Sequence, residues 1–133
     1  MRIVLDTNVL LVSFSDKSPF HWIWKGLLES TFAICVTTDI LLEYEEIIGK
    51  HTSPIVAKAV IDALTDLPNI VFINKYIFWQ LIEADPDDNK FVDCAIAARA
   101  KYLVSEDKHF KILKTIGFPK VDIIGMKEFR ELF

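Results

Sequence analysis

Two cysteines and three histidines among 133 residues leave this chain short of the sulfur and imidazole groups from which zinc sites are built. Cys35 and Cys94 lie far apart in apolar surroundings, without the paired spacing of a metal knuckle or a redox motif, and read as buried free thiols. His21, His51 and His109 have no mutual spacing that would make them a catalytic set. Positive charge is scarce too. Fifteen basic against nineteen acidic residues give a formal charge of −4, so nucleic-acid binding would have to rest on a local basic strip. Long apolar runs are missing: Ile3 to Val12 is broken by Asp6, Thr7 and Asn8 and falls short of the roughly 18 to 20 residues of a membrane span. The same stretch is unlike a secretory signal, and a cytoplasmic location without membrane association is expected. No repeat, low-complexity tract or linker divides the chain, so residues 1–133 are expected to form one domain, and 52% hydrophobic content supplies its core.

What is present is a regular alternation. Residues 2–6, 32–37, 70–74, 102–105 and 121–124 are apolar and β-branched, and read as short strands buried on both faces. Helical patterns separate them. One starts near Asn8; Ser18-Pro19 opens another through about Glu29; Thr38 or Asp39 caps one that stops at Gly49; Ser53-Pro54 opens one through about Leu67. A short amphipathic piece spans about Tyr76 to Ala84, Asp87 or Asp88 caps a helix through about Lys101, and further helices cover Lys108–Ile116 and Met126–Leu132. Strands alternating with helices imply an α/β fold with a mostly parallel sheet of about five strands, covered on both faces. In such sheets ligands gather outside the carboxyl ends of the strands.

Acids stand at those ends. Asp6 closes the first strand, Asp107 follows the fourth in VSED, Glu43 lies in the helix after the second, and Asp88 starts the helix leading into the fourth. Clustered carboxylates repel unless something neutralises them, and an oxygen-only donor set favours Mg²⁺ or Mn²⁺ over zinc. Such an ion can activate water and hold phosphate oxygens, which makes phosphodiester hydrolysis the natural chemistry. Blander roles compete. Asp6 could cap the turn that follows it, Asp87 and Asp88 suit any helix start, and Asp107 could cap the segment beginning at Lys108. Glu43 falls inside or beside the apolar stripe of Ile40, Leu41, Tyr44, Ile47 and Ile48, whereas Glu45 and Glu46 fall largely outside it. Asp93 lies within the strongly apolar KFVDCAIAARA, where capping does not explain it.

IVLDTNVLL at the start, TTDILLEYEEII, DPDDNKFVDCAIAARA and YLVSEDKHF, in this order, resemble the PIN domain family, and more narrowly its toxins of toxin–antitoxin pairs. The resemblance implies a three-layer α/β/α sandwich and a metal-dependent endoribonuclease acting on RNA with one or two Mg²⁺ or Mn²⁺ ions. By position it carries over Asp6, Glu43, an acid of DPDDNKFVD and Asp107 as ligands, with Asn8 and Ser105 as polar companions of the first and last. Ser105 stands where family members more often have threonine. Asp88 best matches the third acid, and Asp93 is retained as an additional ligand or water holder. Five residues of helix separate the two by about 140°, so both need not touch one ion. The resemblance also implies an antitoxin partner and a homodimer. KHFKILK follows Asp107 directly, and Lys108 and His109 are expected to meet substrate phosphates, though a solvated helix face explains the same charges. Phe20, Trp22 and Trp24 read as core or a dimer surface. Two alternatives compete: a haloacid-dehalogenase-like phosphatase, which needs a second acid where Asn8 stands, and a non-catalytic RNA- or protein-binding PIN module.

Overall fold

The β-branched segments Arg2–Leu5 (β1), Ala33–Val36 (β2), Ile70–Phe72 (β3), Tyr102–Val104 (β4) and Ile123–Ile124 (β5) pair in parallel, in the order β3-β2-β1-β4-β5, in a computed structural model that describes residues 1–133. β1 is central. Its Ile3 pairs with Ile34 on one side and Tyr102 on the other, and Ile3, Val4 and Leu5 are fully buried. That burial on both faces is why the strands read as unbroken apolar runs.

Parallel neighbours require crossovers. α1 (Thr7–Ser13) and α2 (His21–Leu28) join β1 to β2, α3 (Thr38–His51) and α4 (Pro54–Thr65) join β2 to β3, and α5 (Asn89–Ala98) leads into β4; α6 (Met126–Arg130) follows β5. The path from β1 to β3 steps one way across the sheet, and β4 and β5 lie the other way. With right-handed crossovers, α1 to α4 cover one face and α5 the other, the expected α/β/α sandwich. A continuous core of 29 buried hydrophobic residues joins the layers. The strand order reverses between β1 and β4, the point at which sheets of this kind form a ligand crevice at their carboxyl ends.

Several boundaries differ from those expected. Thr37 caps α3, accepting from the Ile40 N–H, and the helix runs through Gly49 to His51. Gly49 lies against α4, where a side chain would reach ordinary contact with Ala57. Ser53-Pro54 opens α4 as expected, with Ser53 Oγ accepting from Val56 N. α2 starts at His21, because residues 15–20 form turns instead of a first helical turn. Asp85, the residue before Pro86, caps the 3-10 turn Pro86–Asp88 by accepting from Asp87 N, and Asp88 holds the N-cap position of α5 as expected, without a side-chain capping bond. Residues 108–115 form 3-10 turns rather than an α-helix.

The largest departure is at Tyr76–Ala84, which is irregular, with Gln80 at a positive φ, and contains no helix. Side chains of α5 take its backbone donors: Asp93 accepts from Trp79 N at 3.2 Å and Asn89 Oδ1 from Ile82 N at 2.9 Å, while Asn89 Nδ2 donates to the Ile82 carbonyl. A helix there would need those same groups. Cys35 and Cys94 are buried free thiols, and burial pushes the Cys94 thiol up to about 12. Trp22 packs on Phe129 at 5.5 Å under the Arg130 guanidinium, so it belongs to the packing between α2 and α6. No helix is long and apolar enough to cross a membrane.

Candidate active site

Asp6 is where the crevice begins. Its N–H donates to the Val104 carbonyl, completing the sheet, and its carbonyl accepts from Val9 N and Leu10 N, starting α1. Its carboxylate makes no capping bond to α1. Instead Oδ2 accepts from Ser105 Oγ at 2.7 Å, and Ser105 Oγ accepts from Asp107 N at 2.9 Å. One buried hydroxyl thus ties the end of β1 to the turn after β4. Burial holds the Asp6 carboxyl above the usual range, helped by the charges of Asp107 and Glu43 and opposed by the Ser105 bond.

Glu43 reaches the same place from α3. Thr7 Oγ donates to its Oε2, and Lys90 Nζ lies 2.7 Å from its Oε1. The Tyr44 hydroxyl beside it donates to the Leu5 carbonyl at 2.5 Å, fixing α3 over the end of β1. Asp88 arrives from the turn before α5. Its carboxyl is raised to about 6 by burial first, then by the charges of Asp85, Asp107 and Asp6. Asp107 Oδ1 accepts from His109 N at 2.9 Å, so the expected capping role is real and coexists with its place in the cluster. Glu106 turns away and accepts from Met126 N, at the start of α6.

The structure therefore brings Asp6 into the field of Glu43 and Asp107, and Asp88 into that of Asp107 and Asp6, with Ser105 between Asp6 and Asp107. It does not bring Asp93. That carboxylate is buried on the other side of α5, holds Trp79 N, and faces Lys75 and Asp39; burial raises its pKa. Asn8 is exposed on α1 and makes no bond to Asp6, whereas Thr7 carries the bond to Glu43. His109 Nδ1 lies 3.4 Å from both Asp88 Oδ2 and Asp107 Oδ1. Lys108 is exposed at the rim. His21 and His51 bond backbone carbonyls of Ser13 and Ile47 and have no part in the crevice.

Sequence reasoning missed Lys90 and Asp85. Both flank Asp88 in DPDDNK, and the signal was the crowding of charge there. Lys90 bridges Glu43 and Asp87, and Asp85 joins Asp88 and His109 in a group whose ligand atoms lie within 4.8 Å of one another. Two observations fit this crevice to a divalent cation. Asp88 Oδ2 and His109 Nδ1 are buried atoms that face each other at 3.4 Å and have no other hydrogen-bond partner. The surrounding donors are mostly carboxylate oxygens, the set preferred by hard cations.

A family model described as the PIN domain matches residues 2–109. Among solved structures, VapBC2 from Rickettsia felis bound to a promoter DNA fragment is similar at 18% identity and a TM-score of 0.65, covering 94% of this chain and 98% of that one. DNA-bound VapBC from Salmonella typhimurium is similar at 19% identity and a TM-score of 0.61, covering 95% and 98%. No curated protein matches. At those identities the two structures bear on the fold, and the family match covers both walls of the acid crevice, from Asp6 to Asp107. The chain belongs to the PIN domain family.

Proposed function

We propose that this protein is a divalent-metal-dependent endoribonuclease that hydrolyses RNA phosphodiester bonds, and that it is the toxin of a toxin–antitoxin pair. The observation that carries the catalytic reading is the aim of the Asp6 carboxylate. It closes a buried strand, leaves its helix uncapped, and turns into a crevice shared with Glu43, Asp88 and Asp107. Repelling acids in one crevice are tolerable when a cation neutralises them.

Asp6, Glu43, Asp88 and Asp107 would hold one or two Mg²⁺ or Mn²⁺ ions. The cation, when bound, supplies positive charge to the scissile phosphate and to the attacking water. The chain's own groups do the rest. Ser105 fixes the Asp6 carboxylate by donating to Oδ2, and Thr7 and Lys90 fix the two oxygens of Glu43. The exposed Lys108 and half-exposed His109 meet neighbouring phosphates, holding the RNA backbone across the crevice without reading its bases. The local strip Lys108, Lys111 and Lys114, all exposed, serves the same end in a chain of net negative charge. The toxin role is supported by the likeness to VapBC assemblies, and implies a cognate antitoxin.

Asp6→Asn tests the reading. The variant is expected to fold and to lose cleavage of single-stranded RNA, as the wild type does in EDTA. A folded variant that cuts undiminished overturns the assignment, and phosphate release from small esters in place of RNA cleavage would move it to a phosphatase.

A further inference from the structure

Two lysines are sunk at this end of the sheet, Lys75 on Asp39 and Lys90 on Glu43, and only Lys90 pairs with one of the four acids. Lys90, in the first turn of α5, places Nζ 2.7 Å from Glu43 Oε1 and 2.9 Å from Asp87 Oδ1, with 14% of its side chain exposed and 17% of Glu43's. The intrahelical pairs Lys50–Glu46 and Lys58–Asp62 differ in kind: their lysines are 65% and 75% exposed, and such pairs contribute little. A lysine sunk this far needs a compensating charge. Here the compensating group is a crevice acid whose other oxygen is already taken by Thr7.

We propose that Lys90 is a resident counter-ion of the acid crevice, supplying positive charge while no metal is bound and lowering the pull of the site on a divalent cation; this rests on the reading that the crevice takes such a cation. Glu43 acts on Asp6, and Asp6 and Asp107 act on Asp88, so the four acids share one field. A positive charge beside Glu43 reduces that field throughout the crevice. The ammonium also ties α3 to the turn Pro86–Asp88 and to α5, so the acids keep their places when the cation leaves. An arriving cation meets a set that is already assembled but partly neutralised. Affinity is lower than four unopposed carboxylates would give, and the metal-free protein is more stable than it would otherwise be.

Lys90→Met tests this, because it keeps the apolar stem and removes the charge. In EDTA the variant is expected to melt about 3–6 °C below the wild type, and saturating Mn²⁺ should close most of that gap. Calorimetric titration should show Mn²⁺ bound about three- to tenfold more tightly. Lys90→Arg should follow the wild type in its response to Mn²⁺, and Lys50→Met, in an exposed pair, should change neither reading. An equal loss of melting temperature in EDTA and in Mn²⁺, or weaker Mn²⁺ binding, makes Lys90 an ordinary structural tie and overturns the proposal. Should Lys90→Met fail to fold in EDTA, rescue by Mn²⁺ supports it and failure in Mn²⁺ overturns it. A wild-type protein that binds no Mn²⁺ removes the metal reading itself, whereas unchanged Mn²⁺ affinity in Lys90→Met alongside normal wild-type binding removes only the counter-ion.

Discussion

Asp88 and Asp93 sit five positions apart in one acidic segment, yet their surroundings give them opposite tasks. Asp88 has a buried oxygen 3.4 Å from His109 Nδ1 and faces Asp85, Asp107 and Asp6. Asp93 is spent on the Trp79 N–H and faces Lys75. Asp88→Asn is therefore expected to lower RNA cleavage by at least about a hundredfold, the upper range for residues that merely orient metal ligands. Asp93→Asn keeps an acceptor oxygen for Trp79 and should retain activity within about threefold, read as kcat/KM on the same RNA. Equal losses in the two variants would return Asp93 to the metal site. The sequence identified Asp88 by its place at a helix start and Asp93 because an acid within KFVDCAIAARA demands a partner. It did not say which partner, since the N–H that satisfies Asp93 belongs to a segment whose conformation was misread. Thr7 and Lys90 were illegible for a related reason. Their bonds to Glu43 span 36 and 47 positions, and no local pattern reports such a meeting.

At the scale of elements, what local rules govern came through. Apolar runs became strands, Ser53-Pro54 became a cap and first turn, and the alternation of strands and helices became the parallel sheet. The irregular segment 73–85 did not, because its shape is imposed from outside. Tyr76, Ile77 and Phe78 stay exposed while Ile82 enters the core, and α5 holds the segment through Asp93 and Asn89. Asn89 is the stronger tether, since its amide both donates to and accepts from Ile82 and also donates to the Pro86 carbonyl. Asn89→Ala should leave the Ile82 N–H and carbonyl unpartnered, cost about 1–3 kcal/mol, and expose 73–85 to limited proteolysis before the rest of the chain. Cleavage elsewhere first, with 73–85 intact, would show that other contacts hold the segment. Because the turn carrying Asp88 follows directly, the same variant should also weaken the binding of Mn²⁺.

For the whole molecule, the crevice sets a conflict between folding and charge that pH exposes. Asp6, Asp88 and Asp93 all have carboxyls raised by burial, Asp88 from the ordinary 3.8 to about 6. An acid whose pKa is higher folded than unfolded favours the fold while protonated, and withdraws that support as pH rises from the unfolded value through the folded one. Asp39, paired with Lys75, and Asp87, paired with Lys90, are lowered and act in the opposite sense, losing their contribution as pH falls below the usual carboxylate range. The two groups leave the metal-free protein most stable in mildly acidic solution, below about pH 6, where Asp88 still carries its proton. In EDTA the melting temperature should fall as pH rises from about 4 to about 6, the span set by the unfolded and folded values of Asp88, and level off above it. Saturating Mg²⁺ should flatten or reverse that fall, because a cation binds the ionised acids and stabilises the fold by mass action. Its binding should weaken below about pH 6 as Asp88 takes up a proton. Melting curves that rise through this window in EDTA, or that ignore Mg²⁺ at pH 7, would mean that the crevice acids do not bear the field that their burial and spacing impose.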